Sequence, residues 1–177
     1  MRTAFRAMVL AFVVLLIAAV PAAAAESHDL WAMFQGPTVG FDDDPDAVAD
    51  RCPDGFQWII QNAGDGWVQS PFYNGPVTFE NEHCSAWLAF NAGRATGRIG
   101  AGLHTFTTPD GDVLTLEYHG GFMFEGDLDV GVWRSNVRLI YTVIDGTGVF
   151  EGASGHGSFG AVDNSGLGVG HMFGTLY

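Results

Sequence analysis

The chain has 177 residues, of which 20 are acidic and 7 are arginine, with no lysine, and its formal net charge is −13 at pH 7. A surface this acidic repels a phosphate backbone and an anionic membrane leaflet. The composition therefore argues against nucleic-acid binding and against attachment to a charged membrane surface.

The first 25 residues have the three parts of a secretory signal peptide. Arg2 and Arg6 precede an apolar run, and Ala23-Ala24-Ala25 supplies the small residues of a cleavage site. A membrane anchor is the alternative, but Pro21 interrupts the run that a spanning helix needs. Cleavage after Ala25 would leave 152 residues with five arginines against twenty acids, a charge of −15. We predict a secreted protein, extracellular or periplasmic, with no membrane attachment after cleavage.

The remaining residues divide into an N-terminal segment, 26–51, with an acidic loop, and one domain at 52–177. Residues 41–50 contain five aspartates and read as a solvated loop. Asp42, Asp44 and Asp46 alternate as in a calcium loop, but Ala47 and Pro53 occupy the positions where that loop needs glycine and glutamate. We therefore predict no metal site here.

Cys52 and Cys84 are the two cysteines of the chain. In an oxidising compartment one disulfide is the economical interpretation, and a free thiol is the alternative. A redox CxxC pair and a thiolate zinc site are both excluded, because the chain has only these two cysteines.

Short alternating segments then follow one another. The predicted strands lie at 56–61, 76–80, 84–90, 103–107, 113–119, 137–144 and 167–177, and turn residues separate them at 62–66, Gly93, 109–111 and 145–146. No helical period appears beyond the signal peptide. This pattern predicts an all-β domain, either an antiparallel sandwich or a barrel. Glycine at alternate positions of the last segment (Gly168, Gly170, Gly174) favours a barrel, because it eases sharp coiling.

Gly155 to Gly160 spells GxGxxG, the pattern of a dinucleotide-binding loop. That loop needs a following helix and an acidic residue about twenty positions on, whereas seventeen residues follow Gly160 and read as a strand. A phosphate loop fails because the chain has no lysine. We interpret these glycines as backbone geometry, with a tight hairpin at Asp145-Gly146 and with Phe150 and Phe159 plugging or lining a barrel end.

Two longer motifs carry a resemblance to a known family. DGTGVFEGASGHGSFG at 145–160 is similar to a "GGTGRFxGAxGxGxxxG" signature, with Val149 where arginine is frequent, and PDGDVLTLEYHG at 109–120 is similar to an "xNGDxLxLxYxG" strand. Glu82-His83-Cys84 and residues 52–55 also match cysteine-bearing segments. Over residues 52–163 the chain resembles secreted bacterial proteins of the allene oxide cyclase and dirigent barrel superfamily. The resemblance implies an eight-stranded up-and-down barrel, which in the enzyme members holds a fatty or phenolic substrate. It is also compatible with a homo-oligomer.

Candidate catalytic residues are few. Glu117 and His119 share one strand face and could form an acid–base pair, but Leu114, Leu116 and Tyr118 occupy the other, more core-like face, so we expect the pair to face solvent.

Arg138 could hold a ligand carboxylate at a barrel mouth. For both Arg134 and Arg138, however, an ion pair at the protein surface is the simpler interpretation. Tyr141 could offer a hydroxyl in a pocket, although a core tyrosine is again simpler. Tyr118, Arg138 and Phe150 are the candidate ligand-binding residues. His83, His104, His119, His156 and His171 lack metal-ligand spacing, so neither a metal nor another cofactor is expected.

Three functions remain open. The first is a non-catalytic barrel that binds a small apolar or aromatic molecule. The second is a cofactor-independent isomerase or cyclase that shapes its substrate in an apolar cavity. The third is a structural or protein-binding barrel. A buried His, Glu or Tyr paired with a second polar group inside a cavity would favour the second, and a filled interior would favour the third.

Overall fold

Eight antiparallel strands close into one barrel in a computed structural model that describes residues 28–91, 93–127 and 130–177. The strands are β1 His28–Asp42, β2 Trp58–Gln69, β3 Asn74–Asn91, β4 Arg94–Thr107, β5 Val113–Asp127, β6 Val132–Gly146, β7 Gly155–Asn164 and β8 Leu167–Leu176. Each strand pairs with the next along the chain, and β8 pairs with β1, so the sheet has no free edge. The predicted up-and-down barrel is confirmed. The predicted signal peptide lies outside the described residues, and within them no helix is long and apolar enough to cross a membrane.

The barrel begins at His28 and so includes residues that the sequence had suggested were a separate N-terminal segment ending at residue 51. Leu30, Ala32 and Phe34 of β1 are buried and alternate with more exposed residues. This is the period of a strand with one face in a core. β1 is required for closure, because it forms the ladder that joins β2 to β8.

The predicted acidic loop contains a short helix, α1, at Pro45–Arg51. The Asp44 side chain caps it by accepting the backbone N–H of Asp46 at 2.9 Å and of Ala47 at 3.3 Å. Proline at the first helical position fits, since its missing N–H would have no partner there. The expectation of no helix after the signal peptide is therefore corrected for these seven residues.

Residues 43–57, which we call the strap, cross the outside of the barrel between β1 and β2. The predicted disulfide is confirmed: Cys52 is bonded to Cys84 of β3, with Cα atoms 5.8 Å apart. Arg51 forms an ion pair with Glu82 of β3. Arg98 of β4 lies over the Phe56 ring, 4.4 Å from its centroid. The strap thus covers the outer faces of β3 and β4 and holds Cys84 in a buried position.

Glycines let neighbouring parts of the barrel approach closely. Residues 62–66, predicted as a turn, lie within β2, where a Cβ on Gly64 would overlap the backbone carbonyl oxygen of Gln35 in β1. In β8 a Cβ on Gly170 would overlap the Phe34 ring. The Phe34 ring therefore occupies the space that Gly170 leaves, as the alternation in the last strand predicted, whereas Gly64 lets the backbones of β1 and β2 approach each other.

One half of the interior is packed solid. Phe150 is completely buried at this closed end, where it sits in a short 3-10 helix, Gly148–Phe150, and packs against Tyr73. β6 continues to Gly146, so the predicted tight hairpin at Asp145-Gly146 is replaced by the longer connection at 147–154. The turn predicted at 109–111 is confirmed, with the Gly111 N–H donating to the Thr108 carbonyl at 3.0 Å. Gly155 to Gly160 lies in β7 and opens no helix.

Candidate functional site

A cavity of about 320 Å³ occupies the other half of the barrel. Its floor is a layer of phenylalanine rings, in which Phe34 lies 5.2 Å from Phe79 and 5.0 Å from Phe159, measured between ring centroids. The cavity extends to Phe41, which is 62% exposed at the end of β1. We call this end the open end. The volume lies at the lower limit of small-molecule pockets in proteins.

Aromatic side chains line one side of the cavity and form a continuous group that we call the aromatic arc. Its members are Trp58 on β2, Trp87 on β3, Phe122 and Phe124 on β5 and Trp133 on β6. The Trp87 ring lies 5.1 Å from Trp58 and 5.3 Å from Phe124, and Phe124 stacks on Trp133 at 5.7 Å. The arc offers flat, apolar surface toward the open end, which suits an aromatic or otherwise flat molecule.

A row of hydrogen-bonded polar groups, the polar chain, interrupts the apolar wall. The Thr38 hydroxyl donates to Asn62 Oδ1 at 2.9 Å, and Asn62 Nδ2 donates to Asn81 Oδ1 at 2.9 Å. The Tyr118 hydroxyl lies 3.5 Å from the same Asn81 oxygen and 2.8 Å from Nδ1 of His83. All five side chains line the cavity. Successive strands β1, β2 and β3 thus place polar groups at one level, since paired residues of neighbouring strands share a face.

His83 and Tyr118 are both uncharged at neutral pH. Burial within the barrel lowers the pKa of His83 to about 4, although part of the residue is exposed toward the cavity, and it raises the pKa of Tyr118 far above the usual value of 10. If Nδ1 of His83 carries no proton, it accepts from the Tyr118 hydroxyl. In the other tautomer Nδ1 donates to that hydroxyl, which can then donate to Asn81. The pair can offer or accept a hydrogen bond, but it carries no charge.

The Ser85 hydroxyl has no hydrogen-bond partner among the described residues, although it is fully buried and lines the cavity. A buried hydroxyl without a partner costs stability. A molecule in the cavity with a polar atom near Ser85 would remove that cost.

One carboxyl group points into the cavity. Asp163, near the end of β7, accepts the backbone N–H of Gly166 at 2.9 Å. Burial raises the pKa of Asp163, and the hydrogen bond from Gly166 partly opposes this effect. Asp163 pairs in register with Ser135 of β6 and with Gly168 of β8, so the wall beside it is made of small residues.

The structure places most residues singled out from the sequence away from this cavity. Glu117, His119 and Arg138 are exposed on the outer face of β5 and β6, as the alternation with core residues indicated, so the position of Arg138 at a barrel mouth is corrected. Tyr141 is buried in the packed half, where burial raises its pKa to about 12 and its hydroxyl has no partner among the described residues. Phe150 closes the opposite end.

Tyr118 is the predicted ligand-binding residue that does line the cavity. Its hydrogen-bond partner His83 has no predicted role beyond the absence of metal-ligand spacing. The sequence predicts two strands at 76–80 and 84–90, whereas these residues belong to one strand, β3. Continuing the alternation of Val77 and Phe79 through the gap would have placed Asn81, His83 and Ser85 on the inner face.

A second buried histidine lies beneath the cavity floor. His104 stacks on Phe79 at 5.3 Å and packs 4.4 Å from Phe106, and neither ring nitrogen has a partner among the described residues. A register shift in β4 between Ile99 and Gly102 moves the inward positions from odd to even numbers and so turns His104 inward. Gly100 and Gly102 lie at the shift, as is common for bulges, but the sequence does not show which face the residues after it take.

No metal-binding group of three or more His, Cys, Asp or Glu side chains occurs in the part of the chain that the structure describes. Comparison of the chain with protein-family models, curated proteins and solved structures found no match.

Proposed function

We propose that this chain is a secreted β-barrel that binds a small apolar or aromatic molecule in the cavity at its open end. The observation that carries the proposal is the combination of a 320 Å³ aromatic cavity with the unpartnered Ser85 hydroxyl and the polar chain on its wall. Ligand sites are mostly apolar, with a few placed polar groups that orient the ligand. A purely structural barrel has no need of this empty volume, which costs packing energy.

The uncharged state of the polar chain supports binding over chemistry. Proton transfer is most efficient when the pKa of the catalytic group lies near the working pH. The pKa of His83 is about 4, and that of Tyr118 is raised far above neutrality. At neutral pH these groups act as hydrogen-bond partners for a ligand atom.

A fluorescence titration with N-phenylnaphthylamine, a neutral aromatic dye, tests this proposal. We expect saturable binding that is competitive with other flat apolar molecules. Gly168→Leu should weaken binding at least about tenfold, because a Cβ at Gly168 faces the cavity with its nearest neighbour, the Gly36 carbonyl oxygen, 3.6 Å away, so the side chain fills the ligand's space without a clash.

Ser158→Leu is the matched control, since it adds the same side chain at an exposed position on the neighbouring strand β7. It should leave the affinity for the dye unchanged. An absence of saturable binding to the unmodified protein, or equal losses in the two variants, would contradict binding in the cavity.

Secretion is part of the proposal and rests on the N-terminal pattern and on the Cys52–Cys84 disulfide. Expression of the full chain in a bacterium should yield a processed protein outside the cytoplasm whose first residue is Glu26. Mass spectrometry of the intact protein checks this, and a cytoplasmic protein that retains residues 1–25 would contradict it.

The second candidate, a cofactor-independent isomerase or cyclase as in the allene oxide cyclase superfamily, is favoured by one observation. The hydroxyl of Tyr118 lies 2.8 Å from His83 inside the cavity, so it can polarise an epoxide or carbonyl oxygen of a bound molecule. An allene oxide generated in the presence of the protein should then cyclise with an enantiomeric excess, and Tyr118→Phe should abolish that excess. A racemic product, equal to that of the protein-free reaction, would leave binding as the function.

A further inference from the structure

We propose that the natural ligand is a cation, an amine or quaternary ammonium group carried on a flat apolar body, with its charge held near the open end. This inference rests on the proposed function, because it specifies the ligand of the same cavity. The charged groups that line the cavity, and the absence of others among the described residues, support it.

The cavity has no positive group for an anionic ligand. The five arginines in the described residues, Arg51, Arg94, Arg98, Arg134 and Arg138, lie outside the barrel interior, and none lines the cavity. His83, the one basic side chain of the lining, is neutral because burial lowers its pKa to about 4. A carboxylate or phosphate placed there would lose its hydration without a counter-charge.

Asp163 supplies a negative group for a cationic ligand. Its side chain lines the cavity, and the structure gives it one hydrogen bond, from the Gly166 N–H, and no ion pair among the described residues. A carboxylate at the edge of an apolar cavity is stabilised when a cation approaches it. Among the described residues that line the cavity, Asp163 is the one that can supply a negative charge, since the other side chains are apolar or neutral at pH 7.

Trp133, at one end of the aromatic arc, lies near Asp163 in the strand register, because Ser135, two residues further along the same face of β6, pairs with Asp163. The backbone N–H of Trp133 donates to the hydroxyl of Ser165, in the β7–β8 turn, at 3.2 Å. Asp163 lies two residues before Ser165, near the end of β7. Trp58 and Trp87 face the same cavity from β2 and β3. Indole faces attract cations more strongly than other aromatic side chains do. The cavity that holds the Asp163 carboxylate therefore also offers indole faces to a cation.

The polar chain lines the same cavity and is uncharged at neutral pH. It can bind a hydroxyl, ether or carbonyl group at the far end of the ligand, while the cation stays toward solvent. The net charge of −13 also favours a cationic ligand, since an acidic protein attracts cations and repels anions.

The test compares three ligands with one naphthalene body: naphthylmethyl-trimethylammonium, naphthalenemethanol and naphthoate. Isothermal titration calorimetry at pH 7 and moderate ionic strength gives the affinities. We expect the ammonium compound to bind at least about tenfold more tightly than the alcohol, and naphthoate at least about tenfold more weakly than the alcohol.

Asp163→Asn should reduce the preference for the ammonium compound over the alcohol about tenfold, because asparagine Oδ1 can still accept the Gly166 N–H but carries no charge. Asp65→Asn makes the same change of net charge at an exposed position of β2 and should leave the preference unchanged.

Equal affinities for the ammonium compound and the alcohol, tighter binding of naphthoate, or equal effects of the two variants would overturn the inference while leaving the proposed function standing. If neither these three compounds nor N-phenylnaphthylamine binds, the proposed function fails and this inference fails with it.

Discussion

Replacement of His104 by phenylalanine should stabilise the protein, and the gain should increase as the pH falls. Both ring nitrogens of His104 are buried without partners in the described part of the chain, and an unpartnered buried polar group costs about 1–3 kcal/mol. The surrounding rings are Phe34, Phe79, Phe106 and Phe159. We therefore expect the free energy of unfolding at pH 7 to rise by about 1–3 kcal/mol in the variant.

The pH dependence follows from the direction of the pKa shift. Burial lowers the pKa of His104 to about 3, whereas an unfolded histidine has a pKa near 6.5. Between these values the unfolded chain binds the proton and the native chain does not, so the titration of His104 costs no stability above about pH 6.5 and costs progressively more as the pH falls toward 3. By pH 5 this amounts to about 2 kcal/mol for His104, and a similar amount for His83, whose pKa is about 4.

Urea unfolding followed by tryptophan fluorescence at pH 7 and pH 5 measures both effects. The unmodified protein should lose about 2 kcal/mol more than His104→Phe over this interval. His119→Phe is the control, because it makes the same substitution at an exposed position of the neighbouring strand β5. A surface change of this kind has little effect on the free energy of unfolding. The loss of unfolding free energy between pH 7 and pH 5 does not depend on how well phenylalanine packs. If His104→Phe loses as much stability over this interval as the unmodified protein, His104 is not buried and neutral.

Loss of the disulfide should have an effect of comparable size. Cys52 and Cys84 are 32 residues apart, and closing a loop of that length removes unfolded-state entropy worth about 3.5–4 kcal/mol. Alanine at both positions leaves no buried hydroxyl or thiol, so the double variant Cys52→Ala/Cys84→Ala isolates the cross-link. We expect its free energy of unfolding to fall by about that amount.

Reductant provides the matched comparison for the disulfide. Dithiothreitol should bring the unmodified protein close to the stability of the double variant and should not affect the variant itself. The strap should also become more accessible to protease near Phe56, because its ring contact with Arg98 is then held by fewer constraints. A loss below about 1 kcal/mol would mean that the ion pair of Arg51 with Glu82 and the packing of the strap hold it without the covalent bond.

Much of the site was hidden from the sequence because it depends on which face of each strand turns inward. Val113 to His119 alternates cleanly between core and polar residues, so the outward direction of Glu117 and His119 could be predicted. In β3 polar residues occupy inner positions 81, 83 and 85, so the alternation that identifies a buried face is absent where the cavity lies. A functional cavity breaks the hydrophobic pattern on which such predictions rest.

The sequence by itself determined the all-β class and the exclusion of a nucleotide loop, because period-two alternation and local glycine chemistry are properties of neighbouring residues. The presence of two cysteines favoured the disulfide without any knowledge of the fold. Only the tertiary structure decided that β1 closes the barrel, that the β4 bulge turns His104 inward, and that His83 meets Tyr118 within hydrogen-bonding distance. These features depend on register between strands far apart in the chain, and a shift of one residue exchanges the inner and outer faces. The cavity and its charge pattern are set by that register, which no local stretch of sequence specifies.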